Sequence, residues 1–140
     1  MLSVALFTGC RTEAIGKIDP VQIEAVVREY YRAFNNYDLS RIEAVFTDEA
    51  WQEEGSGLSA WLHTAESLSF KSEFVSIASV RNEGSTILAT VKVNSDLGMG
   101  KDFVRLVRER GGWKMVEVLT KKVSQVSPPE ETPSGSSCCP

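Results

Sequence analysis

The stretch VVREYYRAFNNYDLSRIEAVFTDEA, residues 26–50, decides the architecture, because one helix, its break and a second helix can be read from it in order. Ile23, Val26, Val27, Tyr30, Phe34 and Tyr37 recur at steps of three and four, one apolar stripe along a helix of about four turns. Asp19, Pro20 and Gln22 supply its start: a cap, a residue suited to the first helical position and a capping-box partner, with Ile18 and Ile23 as a hydrophobic staple. Glu24, Arg28 and Arg32 fall on the solvated side at i, i+4 spacing. Asn35, Asn36 and Asp38 then break the helix, since their side chains compete for backbone hydrogen bonds. Ser40 with Glu43 offers a second capping box for a short helix carrying Ile42, Val45 and Phe46.

Moving toward the C-terminus, residues 53–57 read as a loop and residues 58–68 as a third helix, with Leu58, Trp61, Leu62, Ala65 and Leu68 on one face. From Phe70 the period changes to two. Runs over 71–81, 86–95, 102–110 and 113–121 are separated by Asn82-Glu83-Gly84, by a Gly-containing loop over 96–100 and by Gly111-Gly112, where a tight turn calls for positive φ. Alternation is clearest where Ile87, Ala89, Val91 and Val93 oppose Thr86, Thr90, Lys92 and Asn94, one face packed and one wet or lining a cavity. The expected class is α+β, two or three N-terminal helices packed on an antiparallel sheet of about four strands.

A chain of 140 residues has room for one core, and a formal charge of −4 removes the bulk attraction for phosphate backbones, so nucleic acid is excluded as the expected partner. Arg105, Arg108, Arg110, Lys114, Lys121 and Lys122 concentrate in the last third of the folded region, either as a basic face or, the plainer reading, as a solvated sheet edge. No apolar run is long enough for a spanning helix. Cys10, Cys138 and Cys139 lie at the two ends, so no core disulfide is expected, and with His63 the single histidine nothing has zinc spacing. Neither a metal nor a cofactor is implied. Residues 124–140, rich in Pro, Ser, Glu and Gly, form a tail that cannot bury enough surface to order itself.

The opening MLSVALFTGC, residues 1–10, is a short apolar run ending in small residues and a cysteine, and FTGC resembles a bacterial lipobox. That resemblance implies lipidation at Cys10, a linker up to residue 18 and an extracytoplasmic, membrane-anchored domain. Without it, the segment is a frayed or core-packed N-terminus of a cytoplasmic protein.

Residues 26–50 together with GSGLSAWL, the four-strand pattern and GGWKMVEV are similar to the nuclear transport factor 2-like superfamily, which includes SnoaL-like cyclases, ketosteroid isomerases and small bacterial lipoproteins. The resemblance covers roughly residues 19–121, within one domain expected over 19–123, and implies a curved sheet wrapped against helices, a cystatin-like cone whose open end holds a pocket. Compared with the ketosteroid isomerase branch, it matches Tyr30 to the oxyanion-donating tyrosine, Glu54 to the carboxylate base and Asp102 to the protonated acid donor, a set able to remove a proton beside a carbonyl. His63 is the base implied by related dehydratases, and Trp113 matches a strand-anchoring tryptophan. Tyr30 is equally explained by the apolar stripe of the first helix.

Three functions are therefore expected in order: a non-enzymatic binding or interaction domain taking a small hydrophobic ligand; an isomerase, cyclase or dehydratase using Glu54, Tyr30 and Asp102; and a homodimer associating through the sheet.

Overall fold

The computed structural model describes residues 18–110 and 112–121. The lipobox-like segment with Cys10 and the tail with Cys138 and Cys139 lie outside the described residues.

Helix α1 (Pro20–Asn35) starts where Asp19 accepts a hydrogen bond from the Val21 N–H at 3.0 Å. It buries Ile23, Val27, Tyr30 and Phe34 as the stripe requires, and Tyr31 and Ala33 as well. Tyr37 is not on this helix: it turns the chain at φ +54° and its hydroxyl donates to the Phe70 carbonyl at 2.9 Å. Helix α2 (Leu39–Ala44) is capped by Asp38 rather than Ser40, the Asp38 carboxylate accepting from the Arg41 N–H at 3.3 Å.

Helix α3 (Asp48–Ser67) corrects the expected loop over 53–57, for it is continuous from a Thr47 cap whose hydroxyl accepts from the Ala50 N–H at 3.1 Å. Gly55 is a packing residue here: a Cβ at that position would meet the Trp51 ring at 2.8 Å. The Trp51 ring lies over it and reaches Phe46, their centroids 5.6 Å apart.

Strands β1 (Ser72–Asn82), β2 (Ile87–Ser95), β3 (Gly98–Glu109) and β4 (Gly112–Lys121) form an antiparallel sheet in the order β1-β2-β3-β4. β3 starts before the expected residue 102, because Ser95 pairs with Gly98 across the two-residue turn Asp96-Leu97, with Gly98 at φ +107°. At the last hairpin Arg110 takes φ +55°, and Gly111 lies outside the described residues. Register shifts between Phe74 and Ser76, between Ile77 and Ser79, and beside Leu106 bend the outer strands, and such bulges curl a sheet into a concave face. That face buries Ile87, Ala89, Val91, Val104, Leu106, Trp113 and Met115 against the helices. The corner from α2 to α3 is stitched to β4 by bonds from the Thr47 N–H to the Met115 carbonyl (3.1 Å) and from the Met115 N–H to the Val45 carbonyl (2.7 Å). No described helix is long and apolar enough to cross a membrane.

Candidate functional site

Between the C-terminal half of α1 and the β2–β3 hairpin lies an open cavity of about 630 Å³. Tyr30, Tyr31 and Phe34 from α1, Trp61 from α3 and Phe70 ahead of β1 give it an aromatic wall. Val93, Ser95, Gly100, Asp102 and Thr120 supply the sheet side, and Leu97, 83% exposed at the hairpin tip, stands at the mouth.

Asp102 is the polar centre. It shares the phase of Val104 and Leu106 in β3, so alternation turns its carboxylate to the concave face, where it is only 6% exposed. The Tyr31 hydroxyl donates to Asp102 Oδ2, and the Thr120 side chain hydrogen-bonds the same carboxylate. Burial pushes the Asp102 pKa above the usual carboxylate range, while the bonds from Tyr31 and Thr120 oppose that shift by favouring the ionised form. Burial, and secondarily the Asp102 charge, hold both Tyr30 and Tyr31 well above the ordinary phenol range. Both hydroxyls therefore remain protonated and able to donate.

Tyr30 and Asp102 thus share one cavity, although the hydroxyl on the carboxylate belongs to Tyr31. Successive helical residues point about 100° apart, and Tyr31 is the one aimed at β3, stacked edge-on to Tyr30 at 4.9 Å. Its signal was the phase of Asp102, a carboxylate on the apolar face of its own strand that needs a donor opposite. Glu54 does not join them: it is half-buried on α3 and does not line this cavity. His63 is exposed on α3, and Trp113 is buried in the core with the Arg108 guanidinium 5.6 Å over its ring. Among the described residues no group of three or more His, Cys, Asp or Glu side chains could hold a metal ion.

An α+β cone with helices on its concave face and an aromatic pocket at one end defines a class, and comparison with solved structures agrees. The chain is similar to a protein of unknown function from Shewanella baltica described as NTF2-like (TM-score 0.55, 18% identity, covering 75% of this chain and 97% of that one). It is also similar to a protein from Novosphingobium aromaticivorans provisionally assigned as an aromatic ring hydroxylase (TM-score 0.58, 18% identity, 74% and 87% covered). A third similar structure is that of a variant of a protein of unknown function from Mycobacterium tuberculosis (TM-score 0.54, 14% identity, 77% and 80% covered). No protein-family model matches the sequence, and no curated protein matches it. The fold is that of the nuclear transport factor 2-like superfamily; at these identities the likeness speaks for the fold alone.

Proposed function

We propose that this domain binds a small, largely apolar molecule in the cone and recognises one polar group on it through Asp102. The observation that carries the reading is a buried carboxylate, bonded by Tyr31, set in a cavity whose wall also carries Tyr30, Phe34, Trp61 and Phe70. A few hundred Å³ of apolar space with a small number of fixed polar groups is the usual construction of a ligand site. Binding is favoured over turnover because Glu54, the base the isomerase reading needs, does not line the cavity, and a general base must reach the proton it removes.

The domain is also proposed to be tethered outside the cytoplasm through Cys10, on the strength of the FTGC motif. The binding reading is tested by titrating aromatic and aliphatic small molecules against the fluorescence of Trp61, which lines the cavity and is 44% exposed. Saturable quenching that disappears in Ser95→Phe, where the cavity is filled without adding a second indole beside Trp61, is the expected result. Signals unchanged by that substitution would refute the assignment.

A further inference from the structure

We infer that the ligand of this cavity is an organic cation, an ammonium group on an aromatic or aliphatic body, held by the Asp102 carboxylate beside a run of aromatic rings. The inference rests on the cavity being a ligand site and narrows its ligand to one charge class.

Among the described residues, Asp102 has no cationic partner. The ion pairs there join Arg28, Arg32, Arg41, Arg81 and Arg105 to glutamates elsewhere. Its bonds come from Tyr31 and Thr120. A carboxylate has about four acceptor sites, so two hydroxyl donors leave acceptor capacity free. A buried carboxylate without a counterion is costly, and proteins ordinarily pair such a group. Here the open space beside it is the cavity.

The walls of that space suit a cation too. Tyr31 meets Tyr30 at a centroid distance of 4.9 Å, Tyr30 meets Phe34 at 6.3 Å, Phe34 meets Trp61 at 6.4 Å and Trp61 meets Phe70 at 5.6 Å. This chain of rings runs from Tyr31, bonded to the carboxylate, to the exposed Trp61 and the half-buried Phe70. Aromatic faces carry negative potential that attracts an ammonium and gives an anion no support. Lys101, which also borders the cavity, is exposed and directly precedes Asp102 in β3, where alternation sends adjacent side chains to opposite faces. Burial drives Asp102 toward its neutral form, and an ammonium beside it opposes that drive, so ligand and residue stabilise each other's charge.

The test is calorimetry with phenylbutylamine, phenylbutanol and phenylbutanoate, three probes of one body and different head groups, at about pH 7.5 where an alkylamine is charged. The amine is expected to bind the unmodified chain about tenfold more tightly than the alcohol, the scale of a desolvated cation–π contact with a carboxylate nearby. The butanoate should bind least. In Asp102→Asn the amine's advantage should fall severalfold, to the part the rings alone supply, while in Glu54→Gln it should persist in full. An alcohol that equals the amine, a butanoate that exceeds it, or an advantage undiminished in Asp102→Asn overturns the cation inference and leaves the cavity a ligand site. Failure of all three probes removes the ligand-site reading together with it. Circular dichroism establishes that Asp102→Asn is folded, and the comparison of probes on the unmodified chain decides the matter if it is not.

Discussion

Asp102 is in tension at the scale of a single side chain, with burial resisting its charge and two hydroxyls supporting it. Its raised pKa fixes the sign of a stability effect. In the folded state the proton is held to a higher pH than in the unfolded chain, so the stabilising contribution is complete below the ordinary carboxylate value and is lost as pH rises through the raised one. Asp102→Asn removes that dependence, so its stability relative to the unmodified chain should climb from acid to neutral pH. Urea denaturation of both proteins across that range measures it, and parallel curves would count against the buried charge. Tyr31→Phe strips the carboxylate of its phenol donor and should cost about 1–3 kcal/mol, the range for a buried charged group losing a hydrogen bond. Tyr30→Phe should cost less, since the contacts of Tyr30 are its aromatic packing against Tyr31, Phe34 and Phe46, which phenylalanine keeps. A reversed order would mean that Tyr30 is the residue that matters to Asp102.

Among the elements, α3 makes the sharpest prediction because its two glycines differ. At Gly57 an added Cβ meets nothing within 4 Å, so Gly57→Ala should stabilise by about 0.5–1 kcal/mol, the helix-propensity gain. At Gly55 the same gain is opposed by the Trp51 ring 2.8 Å from the new methyl, and the substitution should be destabilising. Thermal melts of the two variants moving in the same upward direction would contradict the packing role of Gly55. These glycines also show where local patterns stop being informative. EEGSG reads as a loop by composition, yet Gly55 is there for contact with Trp51 and the helix continues through it. α1 and β2 were legible because periodic apolar positions carry their own evidence of burial: Ile23, Val27, Tyr30 and Phe34, or Ile87, Ala89, Val91 and Val93, are buried as the pattern requires. The beginning of β3 was not, since Gly98 and Gly100 have poor strand propensity and the segment is held by pairing to Ser95, Asn94 and Val93. At the site, Asp102 and Tyr30 could be found from sequence. Choosing Tyr31 as the donor required knowing which side of α1 faces β3.

For the whole molecule, chain direction orients the cavity. The C-terminal end of α1 lies at the mouth, where the Asn35 side chain donates to the Ser72 carbonyl at 3.0 Å and accepts from the Ser72 N–H at 2.8 Å. The helix is 16 residues long, so Pro20 sits roughly 24 Å back along its axis. A lipid on Cys10, as proposed above, would join the domain ahead of Pro20, at the end of α1 that does not line the cavity, and would leave the mouth accessible to soluble ligands. Two outcomes are expected from that arrangement. Mass spectrometry of the membrane fraction should find the chain beginning at an acylated Cys10, with Cys10→Ser shifting it out of that fraction. Affinity for the amine probe should be the same for the anchored protein in vesicles and for a chain starting at Arg11. An unprocessed chain beginning at Met1 would remove the tether, whereas a large loss of affinity on anchoring would contradict a tether that leaves the mouth accessible.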